Sequence, residues 1–229
     1  MFTSEQNMVD TFELLTGSFL RNLYGKPVNR HFAIREFDSH HGVADIVLGT
    51  YRSHLSSRWT RKPINENWLA PLFKLQNGAV IQLDSYADQF CVSRTTARRQ
   101  IQEYVEANFL KPIGSDQFKL LRNYEPVING VVSIEAKLSN WKQAMSQALR
   151  YRRFSDYVFV LLDDDRAEPA IDKLYQFEEW NVGLATMSDS SDTVSFYHVP
   201  ERITKKSDYY YNRLNETAYS QFVSAFATC

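Results

Sequence analysis

Cysteine is nearly absent: the 229 residues contain two, Cys91 and Cys229. Neither has the spacing of a metal-binding pair, which excludes a disulfide scaffold and a thiolate zinc site and reads as two unpaired thiols in a reducing compartment. Long apolar runs are missing too. No stretch approaches the roughly 18 apolar residues of a membrane span. The opening MFTSEQNMVDTFELL has no basic segment ahead of an apolar one, so no secretory leader is read there. The expectation is a soluble, cytoplasmic chain with no membrane partner. An excess of charge of either sign is also lacking: 26 Lys+Arg face 27 Asp+Glu, a formal net charge of -1. A general affinity for polyanions is thereby excluded, and any nucleic-acid surface must be a local patch. What is plentiful is apolar and aromatic material, with 44% apolar residues including 15 Phe, 13 Tyr and 4 Trp. That supports a buried core in one large domain or two small ones.

Residues 4–23 place Met8, Val9, Phe12, Leu15, Phe19 and Leu23 on one helical stripe, with Ser4 as N-cap and Gly25-Lys26-Pro27 as the stop. Residues 30–38 and 43–51 alternate as strands about a His40-His41-Gly42 turn, a β-hairpin. Residues 66–77 read as a helix. Residues 80–122 follow another grammar: a short helix over 85–90, capped by Asp84, a turn at Cys91-Val92, Ser93 capping a helix over 94–108, then two short strands about Gly114-Ser115-Asp116-Gln117. The first grammar resumes with a strand over 130–138, a helix over 140–153, an apolar strand over 157–162, a helix over 170–180, a strand over 182–187 and a C-terminal helix over 212–227. The expected fold class is α/β, a mixed central sheet flanked by helices with a second domain inserted. Its domains are 1–60 with 125–229, and 61–124.

Chemistry enters through Asp45 and the tripeptide Glu135-Ala136-Lys137. Carboxylates on adjacent strands can hold a divalent cation that neutralises a phosphodiester and supplies hydroxide. A lysine beside them can orient water or stabilise the transition state. Residues two apart on a strand share a face, so Glu135 and Lys137 point together. A charge within strands as apolar as VADIVL and GVVSI is costly unless paired or metal-bound. Gln143 and Gln147 share a face of the following helix.

The order helix, hairpin with Asp45, Glu135-Ala136-Lys137, Trp141…Gln147-Ala148-Leu149-Arg150-Tyr151 and YVFVLL resembles the restriction-endonuclease-like PD-(D/E)XK nuclease superfamily over residues 5–51 and 130–187. The resemblance implies a metal-dependent DNA endonuclease, a phosphodiester hydrolase using Mg²⁺ with Mn²⁺ as the alternative. Asp45 and Glu135 would bind the metal, Lys137 would be the catalytic lysine, and Gln147 would support the site. A further metal ligand is expected from the first helix, Glu13, or from the neighbouring strand, Glu36. One departure is the 90 positions between Asp45 and Glu135, which require an insertion. Restriction, phage defence, mobile-element processing and repair are the fitting settings. The alternative is a non-catalytic DNA-binding regulator or interaction subunit on the same scaffold.

The insertion resembles a winged helix-turn-helix domain, on Leu83-Asp84-Ser85-Tyr86-Ala87…Val92-Ser93-Arg94-Thr95-Thr96-Ala97-Arg98…Leu110 and the hairpin after it. That implies DNA as partner, read by Ser93, Arg94, Thr95, Thr96, Arg98 and Arg99 at a helix N-terminus; a second copy or a partner protein is the further candidate. Glu103 and Glu106 dilute this basic face, which leaves protein contacts as the alternative. Arg58, Trp59, Arg61 and Lys62 read as a plain linker ahead of phosphate contacts. His40-His41 read as an exposed turn, Asp163-Asp164-Asp165 as a solvated strand end, and Tyr209-Tyr210-Tyr211 as packing of the C-terminal segment.

Overall fold

The computed structural model describes residues 1–52, 61–76, 78–190, 193–204 and 206–227. In chain order the elements are α1 (Glu5–Tyr24), β1 (His31–Asp38), β2 (Val43–Tyr51), α2 (Leu69–Lys74), β3 (Val80–Gln82), α3 (Leu83–Gln89), α4 (Arg94–Glu106), β4 (Leu110–Pro112) and β5 (Gln117–Leu120). They continue with β6 (Ile128–Lys137), α5 (Trp141–Tyr151), β7 (Tyr157–Asp163), α6 (Glu168–Ile171), α7 (Leu174–Trp180), β8 (Gly183–Met187), β9 (Val194–His198) and α8 (Asp208–Ala227). The chain divides into two compact units: Met1–Arg52 with Ile128–Tyr211, and Ser53–Val127 with Asn212–Cys229. Among the described residues no helix is long and apolar enough to cross a membrane. Arg58, Trp59 and Cys229 lie outside the described residues, and Cys91 is an exposed free thiol.

The first unit is a six-stranded mixed sheet in the order β1-β2-β6-β7-β8-β9. Its three central strands, β6, β7 and β8, run parallel, and β2 and β9 pair antiparallel at their flanks. Ser4 caps α1 by accepting from Asn7 N–H, and Gly25 ends it at φ 63, a left-handed conformation glycine adopts without Cβ strain. Met8, Phe12, Phe19 and Leu20 of α1 bury against Ile46, Leu48, Val132, Ile134, Phe159 and Ala185, all from one face of the sheet. Strand alternation turns Glu135 to the other face, where α5 packs on β6 and β7. Asn140 caps α5 by accepting from Gln143 N–H. Beyond the expected strands the sheet gains β9, Val194–His198, a short edge strand whose alternate residues are exposed.

Aspartates 163–165 also depart from expectation. Asp163 is wholly buried and accepts from the N–H of Phe2 and of Asp165, while Asp164 accepts from the Thr186 hydroxyl. The strand end is solvated only at its outer residues, because Asp163 closes backbone donors that would otherwise be buried without partners.

The second unit carries a three-stranded antiparallel sheet, β3-β5-β4, against α3 and α4. Leu69, Leu83, Tyr86, Ala97, Ile101, Tyr104, Leu110 and Leu120 form its core. Ser93 accepts from Thr96 N–H at 3.1 Å and starts α4 as expected. The expected cap of α3 is different: Gln82 holds the N-cap position and Asp84 lies inside the first turn. The division of the chain also differs from the expected domains at Asn212–Cys229, which belong with the second unit. Glu216 of α8 is buried there and ion-paired with Arg61, a residue the sequence placed in a linker. A buried carboxylate is held where its cation is, and that cation belongs to residues 53–127.

Candidate active site

Asp45 and Glu135 meet because β2 and β6 are neighbouring strands. Their pairing reaches Ile46 opposite Ile134, and one residue further the Asp45 carboxylate takes over from the ladder: Ala136 N–H donates to Asp45 Oδ2 at 2.8 Å. Opposite Asp45 on β1, Glu36 drops out of the β1–β2 register and sits at φ 50, a conformation costly for a residue with a Cβ. Lys137 points with Glu135, and its Nζ lies 3.0 Å from Glu135 Oε1 and 3.9 Å from Asp45 Oδ2. Two carboxylates from distant parts of the chain thus flank one ammonium group. A third, Glu5 at the start of α1, reaches Lys137 Nζ at 3.2 Å.

Burial sets the electrostatics. Glu135 is 1% exposed, and desolvation raises its pKa above the ordinary carboxylate value, with the charge of Asp45 adding to the rise and the Tyr151 and Lys137 hydrogen bonds opposing it. Desolvation likewise raises Asp45, against the Ala136 N–H and Lys137. For Lys137, burial works against the ammonium, but the hydrogen bond and charge of Glu135, with Asp45 and Glu5, outweigh it and leave the pKa raised. The lysine is therefore held as a cation, while both carboxylates resist ionising without a further positive charge.

Tyr151 closes the site from the end of α5. Its hydroxyl lies 2.6 Å from Glu135 Oε2 and 2.6 Å from the Val43 carbonyl. One phenolic proton faces two acceptors, so the hydroxyl shares its donation between the Glu135 carboxylate and the Val43 carbonyl. Gln147 stands one turn before Tyr151 on the same helix face, and its buried Oε1 has no hydrogen-bond partner among the described residues. A buried acceptor left open is a place for water or a cation.

Not every expected ligand is here. Glu13 lies further along α1 with its carboxylate 3.6 Å from Arg35 Nη1, so the acid that α1 brings to Lys137 is Glu5. A helix stripe gives the buried face but not which turn stands over the strand ends. Glu36 is exposed and acts on Asp45 through its charge, without contact. Tyr151 belongs to the sequence motif but carried no expected role; its i,i+4 spacing from Gln147 was the available signal.

Among the described residues no group of three His, Cys, Asp or Glu side chains is placed to hold a metal. The donor set still fits Mg²⁺, which is ordinarily held by one or two carboxylates with water and substrate phosphate filling its shell. Asp45 and Glu135 supply two, and burial, the main cause of their raised pKa values, is a cost that a bound cation would offset.

The raised values carry a pH dependence. An acid whose folded pKa exceeds its unfolded one binds more protons folded, so its contribution to stability is present below the unfolded pKa and lost as pH rises through the folded one. Without divalent ions, the stability of Asp45→Asn/Glu135→Gln relative to wild type should rise with pH across that window. Urea unfolding over a pH series measures it, and a difference flat in pH contradicts the assignment.

The residues expected to read DNA sit at the start of α4, with their charge already engaged. Arg94 pairs with Asp84 at 2.8 Å and Asp116 at 2.6 Å, and Arg98 pairs with Asp116 at 3.0 Å. Ser93 and Thr96 hydroxyls bond each other at 2.9 Å, and Thr95 is exposed. Arg99 forms no ion pair among the described residues and lines an open groove of about 460 Å³ with Trp68, Gln102, Glu103 and Glu106. The spacing of a helix face showed where these arginines lie but not that Asp116, at the hairpin tip, returns over them.

No protein-family model matches the chain, and no curated protein and no solved structure is significantly similar to it.

Proposed function

We propose that the first unit is a divalent-cation-dependent DNA endonuclease site of the PD-(D/E)XK kind, and that the second unit is a winged helix-turn-helix that reads DNA. The observation that supports this best is the meeting of Asp45, Glu135 and Lys137 at one end of a mixed sheet, 3.0 and 3.9 Å from carboxylate to ammonium, although 90 positions separate the acids in sequence. Asp45 and Glu135 would hold Mg²⁺ or Mn²⁺. Bound there, the cation supplies Lewis acidity and a hydroxide near neutral pH.

The protein's own groups divide the remaining work. Glu135, nearly solvent-free, presents one oxygen to Lys137 and the other to Tyr151. The Ala136 N–H fixes the Asp45 carboxylate. Lys137, held protonated, stabilises charge on the phosphate in the transition state and is the wrong species for a general base. The test is cleavage of supercoiled and linear duplex DNA with Mg²⁺ or Mn²⁺ by the wild-type chain, set beside Lys137→Met. Failure of the wild type to cut with either ion overturns the catalytic reading.

A second reading, in which the second unit contacts protein, is favoured by the ion pairs that occupy Arg94 and Arg98. The two separate on Asp116→Asn. If the unit reads DNA, the change frees Arg98 and leaves Arg94 with Asp84 alone, so duplex binding should tighten several-fold and its salt dependence should steepen by about one phosphate contact, roughly 0.9 in slope. An unchanged affinity and slope by fluorescence anisotropy favours the protein-contact reading.

A further inference from the structure

Three segments of the first unit bring two arginines, a histidine and a tyrosine together beside the carboxylate site. The turn between β1 and β2 carries His41, the end of α5 carries Arg150 and Arg153, and the start of α8 carries Tyr210. Arg153 Nη1 lies 3.2 Å from His41 Nε2, and the Tyr210 hydroxyl bonds the same nitrogen, its ring edge-on to the imidazole. Gly42 lies against the rest: a Cβ there would stand at contact distance, 3.4 Å from Arg150 Cδ and 3.5 Å from Tyr151 Cε1. Arg150 thus lies across the turn, next to the tyrosine whose hydroxyl meets Glu135 at 2.6 Å.

Like charges brought together on a surface repel, and most proteins offset them with acids. Arg35, Arg94, Arg98, Arg202 and Arg213 have such partners here. Arg150 and Arg153 form no ion pair among the described residues. The acids on the three segments are Asp38, which accepts from His40 N–H at 2.7 Å, and Asp208, which forms no ion pair among the described residues. Both guanidiniums are exposed, so the Arg150 donors, and those of Arg153 beyond its Nη1 bond to His41, face an incoming anion. Guanidinium forks match phosphate oxygens bidentately, and imidazole and phenol add single donors.

We propose that His41, Arg150, Arg153 and Tyr210 form a phosphate-backbone subsite that holds a phosphodiester neighbouring the one to be cut. This rests on the nuclease reading of the Asp45–Glu135 site and assigns the first unit its own grip on the DNA strand. Phosphate contacts position a strand without reading its sequence, so the subsite sets register at the scissile bond.

The 229-residue chain and a fluorescent duplex test it, with Ca²⁺ in place of Mg²⁺ and affinity measured across a NaCl series. Arg150→Gln/Arg153→Gln should bind about tenfold more weakly, and its slope of log affinity against log salt should be shallower by about 1.8, the value for two phosphates no longer neutralised. In Mg²⁺ the KM should rise while kcat changes little. Arg150→Lys/Arg153→Lys should recover most of the slope. If the Gln pair fails to fold, Arg153→Gln alone should lower the slope by about 0.9. A slope unchanged by the folded variants, in a chain that cuts DNA, overturns this proposal alone. A wild-type chain that binds through the cluster yet cuts nothing overturns the catalytic reading and leaves the subsite standing. Binding of inorganic phosphate at His41, with duplex affinity unaffected by the Gln variants, marks a free-phosphate site and also overturns it.

Discussion

Lys137→Met is expected to slow DNA cleavage by about 10²–10³-fold, while duplex binding changes only a few-fold. Methionine keeps the unbranched bulk of the lysine side chain and removes its charge. The position is 12% exposed, and its ammonium group lies within hydrogen-bond reach of Glu135 and Glu5 with Asp45 at 3.9 Å. In water such a charge would be screened; in the proposed nuclease the low-dielectric surround would strengthen its hold on charge developing on the phosphate. The loss should fall on kcat, since the interaction grows in the transition state. A second readout separates this from mere misfolding. Without Lys137, Asp45 and Glu135 face each other with no intervening cation, so added Mg²⁺ should raise the melting temperature of the variant more than that of wild type. Lys137→Arg would not restore the site, because the planar guanidinium fork cannot take the compact position of the ammonium. Wild-type turnover in Lys137→Met would remove the lysine from the mechanism.

Glu216→Leu should destabilise the second unit by about 3–5 kcal/mol, the range for breaking a buried pair by removing one partner. The two side chains are 5% and 3% exposed for Arg61 and Glu216. Arg61 meets the carboxylate with both terminal nitrogens, Nη1 at 2.9 Å from Oε2 and Nη2 on Oε1. Ile64 N–H donates to the same carboxylate at 2.9 Å and Tyr124 hydroxyl at 2.6 Å. Leucine in place of Glu216 would strand a buried guanidinium and two further donors. The rings of Tyr219, Tyr124 and Phe109, 4.3, 5.5 and 5.3 Å from the guanidinium carbon, would retain only part of its stabilisation. Replacing both partners removes the orphan charge, so Arg61→Met/Glu216→Leu should be markedly more stable than Glu216→Leu alone. Denaturant titration of the three variants, with hydrogen exchange resolving amides of residues 61–127, measures the coupling. A single-variant cost near 1 kcal/mol or less would show that water reaches the pair.

Local features are legible in the sequence where they rest on one segment. Ser4 and Ser93 cap their helices by side chains that accept from N–H groups three residues on. The hairpin about His40-His41-Gly42 and the common face of Glu135 and Lys137 follow from strand periodicity. The edge strand β9 escapes such reading because five residues, Val-Ser-Phe-Tyr-His, alternate too briefly to stand apart from a loop. The choice between Glu13 and Glu5 escapes it as well, because a helical stripe does not say which turn docks over the strand ends; only the packing of α1 on the sheet places Glu5 at Lys137. Glu216 lies more than 150 positions beyond Arg61, and nothing local in either segment announces the pair.

At Asp45 and Glu135-Ala136-Lys137, then, the sequence by itself determined the side chains, the strands that bear them and the faces they share. Those properties depend on neighbours two to four residues away, which periodicity reports directly. Tertiary structure alone decided that β2 and β6 are adjacent, that Tyr151 closes on Glu135, that Asp116 holds Arg94 and Arg98, and that Asn212 onward joins the second unit. Those contacts are set by burial and by charges seeking partners in space, and their energies carry no trace in the spacing of residues along the chain.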